Sequence, residues 1–124
     1  MSKREFDLLV WGATGFTGQL VVEYLVQTYG VDGDLRWAIA GRNRSKLEAV
    51  RRSCLATALH DKLPTIVADS DDAGSLAALV ARTRVICTTV GPYAKYGTPL
   101  VAACVEAGTH YCDLTGEVQW MARV

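Results

Sequence analysis

Three glycines, Gly12, Gly15 and Gly18, recur at every third position between a short apolar run, Asp7 to Trp11, and a helix-patterned segment, Gln19 to Tyr29. Glycines spaced this way between a strand and a helix can cradle a phosphate. Lacking a side chain, Gly12 can take the tight turn, Gly15 lets the backbone approach a pyrophosphate, and Gly18 lets the helix pack closely on the strand. The unpaired amides and positive dipole end of the helix then face the anion. Thr14 and Thr17 can add hydroxyl hydrogen bonds, and Phe16 belongs to the same turn. The spacing differs by one residue from the commoner GxGxxG, which reshapes the turn and keeps the cradle. A plain strand-to-helix connection would also use such glycines, but their place at the head of a βαβ pattern points to a dinucleotide.

The second strand is where such a site selects its nucleotide. An Asp or Glu at its end would accept hydrogen bonds from the ribose hydroxyls of NAD. That place reads Ala40, Gly41, Arg42, Asn43, Arg44. A carboxylate repels a 2′-phosphate, whereas a guanidinium presents a planar fork of donors to one. Arg42 is therefore the principal candidate for that phosphate, with Asn43 and Arg44 secondary and Lys46 a further nearby charge, and the cofactor expected is NADP(H). Solvated loop charge is the alternative reading of Arg42 and Arg44. Asp32 and Asp34 precede the second strand, at its wrong end. Asp69, after the third strand, could bond the adenine amino group, or could cap the following helix with Ser70 and Asp71.

The elements that must position these residues alternate along the chain. Apolar runs predict strands over residues 7–11, 35–40, 65–68, 85–90 and 110–114. Helical spacing predicts helices over 19–29, from Ser45 onward, around 75–81 and over 99–107, with Ser45 and Glu48 read as a capping box and Pro99 as a first-turn proline. Such alternation implies an α/β Rossmann-type, doubly wound parallel sheet with helices on both faces, in a single domain spanning residues 1–124. Residues 117–124 look like a further helix cut off early, so a fragment of a longer protein is expected, its substrate domain absent.

Composition closes off other classes. The 124 residues are half hydrophobic, enough for one modest core. Thirteen basic residues balance thirteen acidic ones, so the strong positive field that sequence-independent nucleic-acid binding needs is missing. No run is long enough for a membrane span. Cys54, Cys87, Cys104 and Cys112 show no CxxC pair and no zinc-ligand spacing, so no metal is expected. Cys87 and Cys112 fall in strands expected to be buried and Cys104 in a helix, where cysteine acts as a small hydrophobe. Free thiols suit a reducing compartment, which makes the cytoplasm the expected location. His60 is expected at the surface, and His110 opens the fifth strand at the end away from the cofactor, so neither is assigned acid–base chemistry.

Four stretches carry a family resemblance: GATGFTGQLVVEY from Gly12, AGRNRSKLEAV from Ala40, VGPYAKYGTPLVAAC from Val90 and GTHYCDLTGE from Gly108. Together they resemble the saccharopine dehydrogenase-like oxidoreductases, which include trans-acting enoyl reductases of bacterial lipid synthesis, over essentially the whole chain. The resemblance implies an NADP-dependent oxidoreductase whose substrate domain follows the cofactor domain. It implies cofactor contacts at Gly12, Gly15 and Gly18, at Arg42 on the adenosine side, and at Val90, Gly91 and Pro92 on the nicotinamide side. Tyr93 and Tyr96, leaving the fourth strand, could wall the nicotinamide or pack the base of a helix. Asp113, Thr115, Gly116 and Glu117 leave the fifth strand at the same edge, where they could meet substrate, or Thr115 and Glu117 could cap a helix.

The activity implied is hydride transfer between NADPH and a C=C or C=N bond of a small or lipid-linked substrate, with no catalytic residue named. A homodimer is compatible with this. A non-enzymatic NADP(H)-binding sensor or scaffold is the alternative, because fold alone does not confer activity. Short-chain dehydrogenases need a tyrosine followed four residues later by lysine. Here Tyr24, Tyr29, Tyr93, Tyr96 and Tyr111 are followed by Thr28, Gly33, Gly97, Leu100 and Thr115, so that signature is absent.

Overall fold

The computed structural model describes residues 4–69, 71–89 and 93–113. Its strands are β1 (Phe6–Trp11), β2 (Trp37–Gly41), β3 (Thr65–Val67), β4 (Thr83–Thr88) and β5 (His110–Asp113). They form one sheet in the order β3-β2-β1-β4-β5, every neighbouring pair parallel. A parallel sheet is covered on both faces, so its strands read as unbroken apolar runs, and all five residues of β2 are buried.

The crossovers are α1 (Phe16–Tyr29), α2 (Arg44–Cys54), a 3₁₀ turn (Thr57–Lys62), α3 (Ala73–Val80) and α4 (Tyr93–Ala107). They divide the core in two. On one face Val10 and Ile39 of the sheet pack with Val22 and Leu25 of α1 and with Leu47 and Val50 of α2. On the other, Leu9, Trp11 and Ile86 pack with Leu76 and Leu79 of α3 and with Leu100 and Cys104 of α4. Each fully buried Leu, Ile or Val stabilises the fold by about 1.5–3 kcal/mol relative to exposure. The doubly wound parallel sheet expected from the alternation is the architecture found.

Boundaries moved where local chemistry overrode pattern. Helix α1 starts at Phe16, three residues before the periodic segment, because its first turn is the glycine turn itself. Helix α2 is capped by Asn43, whose Oδ1 accepts from the Lys46 N–H at 3.1 Å, rather than by Ser45. Glu48 makes no capping box; its carboxylate takes the guanidinium of Arg51 one turn later. Helix α3 is capped by Asp72, not by Asp69, Ser70 or Asp71. Strand β4 begins at Thr83, which pairs with Phe6. Helix α4 starts six residues before Pro99, so that proline lies inside the helix and has no N–H to offer the carbonyl four residues back. Cys112 is exposed and Cys87 half-buried, whereas Cys104 is buried as expected. His60 is half-buried in the 3₁₀ turn, its Nε2 2.9 Å from the Leu55 carbonyl oxygen. His110 is exposed and opens β5 as read from the sequence. Residues 117–124, read as a further helix, lie outside the described residues.

A contact with no sequence signature closes the amino-terminal edge of the sheet. The Arg4 guanidinium donates to the carbonyls of Val80 at 2.9 Å, Thr83 at 2.8 Å and Ala107 at 2.5 Å, and to Thr109 Oγ1 at 2.5 Å. Thr109 Oγ1 in turn donates to the Val80 carbonyl at 2.7 Å. One side chain thus gathers the end of α3, the start of β4 and the end of α4.

Candidate functional site

Because all five strands run the same way, their carboxyl ends lie along one edge, and the strand order reverses between β1 and β4. Ligands of open α/β sheets bind in the crevice at that point. The glycine turn fills it. Gly12 leaves β1 with φ 84°, a conformation that side chains disfavour, and its N–H donates to the Ala40 carbonyl at 3.1 Å. Its own carbonyl accepts from Gly15 N at 3.2 Å and from Thr89 Oγ1 at 3.2 Å. At Gly18 a Cβ would collide with that same carbonyl oxygen and sit 2.9 Å from Ala13 Cα, so no side chain fits.

Gly15 is different. A Cβ there would approach Gly12 O no closer than 3.7 Å, an ordinary contact. The domain's own packing therefore does not require glycine at this position. Gly15 is also the N-cap of α1 and supplies no side-chain hydrogen bond. The amides of Phe16, Thr17 and Gly18 head the helix, while the first intrahelical bond closes from Gln19 N to Gly15 O at 2.9 Å. Phe16 and Thr17 are exposed, and Phe16 retains 82% of its accessible surface. Gln19 Nε2 donates to the Thr14 carbonyl at 3.1 Å and fixes the turn from the helix side.

Beside the turn, β2 ends at Gly41 and Arg42 follows, exposed. Thr14 lies beside Gly41, where an added Cβ would sit 3.8 Å from Thr14 Cγ2. Among the described residues, Arg42, Arg44 and Lys46 enter no ion pair. No carboxylate from the described chain neutralises them, as an anion site beside the ribose would require. Asn43 is partly committed, its Oδ1 held by the Lys46 amide. A cleft of about 290 Å³ lined by Thr14, Gln19, Lys46, Ala49, Val50 and Ser53 runs between α1 and α2. Asp32, ahead of β2, is paired with Lys62 at 3.2 Å, away from the site.

After β3, Asp69 is exposed, and its Oδ1 accepts from Asp71 N at 2.9 Å while its N–H donates to Ser75 Oγ. Of the two roles open to it, capping falls to Asp72. At the end of β4, Thr89 N donates to the Trp11 carbonyl at 3.2 Å, which with the Gly12 contact ties β4 to the glycine turn. Thr89 was not among the residues singled out from the sequence; its place immediately before the Val90 motif is the only signal it gives. Val90, Gly91 and Pro92 lie outside the described residues, as do Thr115, Gly116 and Glu117, and Tyr93 is the first residue of α4. Among the described residues no group of His, Cys, Asp and Glu could hold a metal ion.

The geometry is that of a glycine turn at a switch point, flanked by cations that enter no ion pair among the described residues. The family model described as the saccharopine dehydrogenase NADP binding domain matches residues 8–122. The chain belongs to this family. It is the family's NADP-binding domain. A trans-acting enoyl reductase of Mycobacterium leprae is 47% identical over 118 residues, which are 95% of this chain and 27% of that protein. The chain thus spans about a quarter of the length of the curated relatives it matches. Apo saccharopine dehydrogenase (L-Glu forming) from Saccharomyces cerevisiae is similar in fold, with a TM-score of 0.70 at 16% identity over 94% of this chain and 24% of the other. Triphenylmethane reductase of Citrobacter sp., solved with NADP(H), gives 0.67 at 22% identity over 87% of this chain and 36% of the other.

The residues of this NADP-binding domain fit the cofactor: a helix start without a side-chain cap, a glycine that the domain's own packing does not require, and guanidinium groups with no ion pair among the described residues. Among the described residues no helix is long and apolar enough to cross a membrane.

Proposed function

We propose that the domain holds NADPH with its pyrophosphate on the Gly12–Gly18 turn and its 2′-phosphate on Arg42, as the cofactor-binding part of a reductase. The single observation that carries this reading is the N-terminus of α1 at the switch point, with no side-chain cap, with room for a Cβ at Gly15, and with Arg42 in no ion pair among the described residues. The amides of Phe16, Thr17 and Gly18 bind the pyrophosphate, with Thr14 and Thr17 hydroxyls adding donors. Arg42 receives the 2′-phosphate, with Asn43 and Arg44 beside it, and Asp69 faces the adenine. The family resemblance assigns Val90, Gly91 and Pro92 to the nicotinamide side, which Tyr93 would also line. Bound NADPH supplies the hydride, and the protein's part is to place it and to exclude water.

The substrate is a C=C or C=N bond of a small or lipid-linked molecule, delivered to a separate substrate domain, and the names of the relatives favour an enoyl group. In this reading residues 1–124 are the first domain, a homodimer is compatible with them, and four free cysteines suit a reducing cytoplasm. Calorimetric titration of the chain with NADPH and NADH tests the cofactor arrangement. NADPH is expected to bind more tightly, and Arg42→Ala to reduce its affinity about tenfold or more, while NADH binding changes little. Equal affinity for both nucleotides would overturn the role of Arg42. Turnover of enoyl and imine substrates by the full-length protein then separates a reductase from a module that senses NADP(H) without oxidising it.

A further inference from the structure

Two of the four cysteines are direct neighbours in the sheet. Cys87 of β4 is the register partner of Cys112 of β5, so their side chains leave the same face of adjacent parallel strands. That is the opposite face from Ile86 and Tyr111, which pack into the α3 and α4 side. Cys112 is exposed and Cys87 half-buried. The Cys112 thiol leans back across the strand gap, its Sγ donating to the Ile86 carbonyl at 3.6 Å, one residue from Cys87. Adjacent strands lie about 4.7–4.9 Å apart, and disulfides form between residues whose Cα atoms are about 4.4–6.8 Å apart.

We propose that Cys87 and Cys112 form a cross-strand dithiol that a hydroperoxide converts to a disulfide, a modification site at the carboxyl edge of β4 and β5. The remaining cysteines do not compete. Cys104 is buried on the other face with α4, and Cys54 ends α2 beside Ser53. In the first step the exposed Cys112 sulfur attacks the terminal oxygen of the hydroperoxide. The O–O bond breaks, the alcohol leaves with a proton, and Cys112 becomes a sulfenic acid. In the second, Cys87 sulfur displaces that hydroxyl. The S–S bond forms as the S–O bond breaks, and the Cys87 proton leaves with the oxygen as water. Two thiols lose two electrons, and one hydroperoxide becomes one alcohol and one water.

Burial first, and then the neighbouring Cys112, pushes the Cys87 thiol up to about 11. It therefore carries a proton at neutral pH, and closure quickens as pH rises and the thiolate forms. The link would fasten β4 to β5 two residues before Thr89, which holds the Gly12 carbonyl.

The test is oxidation of the chain with hydrogen peroxide, alkylation of remaining thiols, and digestion with trypsin and Glu-C without reduction. Cleavage after Arg84, Lys95, Glu106 and Glu117 puts Cys87, Cys104 and Cys112 in separate peptides, 85–95, 96–106 and 107–117. The expected result is a linked pair of 85–95 with 107–117, lighter than the sum by two hydrogen atoms, that appears faster at higher pH and is lost on reduction. Cys112→Ser is expected to leave peptide 85–95 fully alkylated. The proposal is overturned if Cys112 passes to sulfinic acid while Cys87 remains alkylatable, or if the link that forms joins Cys54 or Cys104 instead.

Discussion

Helices α1 and α3 begin along the same edge of the sheet, and each must satisfy the same orphan amides, yet they do so in opposite ways. Helix α3 satisfies its own: Asp72 Oδ1 accepts from Gly74 N at 3.0 Å and from Ser75 N at 3.2 Å. Helix α1 has glycine where α3 has aspartate, and no side chain closes it. A carboxylate at a helix start is an internal anion, worth about 1 kcal/mol to the fold. Leaving the place vacant gives up that stabilisation and makes the same amides available to a ligand's phosphate. The difference is one residue type at the cap, and on the proposed reading it separates a structural helix from a binding one.

Substitutions can break this comparison. The largest effect is expected for Gly18→Ala, whose Cβ has no room against the Gly12 carbonyl and Ala13. Backbone must move, so a loss of roughly 3 kcal/mol in denaturant-measured stability is expected together with loss of NADPH binding. Gly15→Asp converts the α1 start to the α3 kind, since the position accepts a Cβ and is extended at φ −76° and ψ 169°. Stability is expected to hold or rise by a few tenths of a kcal/mol, while NADPH affinity measured by calorimetry falls about a hundredfold, from like-charge opposition at the pyrophosphate. Unchanged affinity in that variant would sink the assignment of the turn. Asp72→Ala sharpens the contrast from the other side: about 1 kcal/mol of stability should be lost, with NADPH affinity retained.

The smallest effect is an acid one, at the other end of the sheet. The Arg36 backbone N–H, and then its guanidinium, hold the Asp7 carboxyl below its ordinary value of 3.8. Its folded-state value is depressed, so its stabilisation is complete above 3.8 and is lost as pH falls through the lower native value. Asp7→Asn is expected to flatten the fall in thermal midpoint below about pH 4, with little change at neutral pH. An identical acid slope in the variant would show that other carboxylates carry it.

The sequence made the alternation of elements and the glycine turn legible because both rest on local pattern: apolar runs bounded by glycine, and glycine placed where a strand hands over to a helix. The absence of an acidic residue after β2 was readable for the same reason. What was not readable depended on competition between neighbours. Asn43, Ser45 and Glu48 all suit a helix start, but Asn43 makes the cap and Glu48 pairs with Arg51. Pro99 marks a helix beginning by statistics, yet α4 starts at Tyr93, so the proline sits within it. Thr89 and Arg4 act through partners far along the chain, Gly12 in one case and Thr109 in the other, and no local motif announces them.

The Arg4 contact also bears on how the protein comes into being. Synthesis runs from the amino terminus, so Arg4 is made 105 residues before Thr109. Until that residue has left the ribosome, the guanidinium lacks one of its acceptors, and β4 has no β5 beside it. Closure of this domain consequently waits for β5, set by long-range pairing, and until then the half-made sheet exposes strand edge to aggregation.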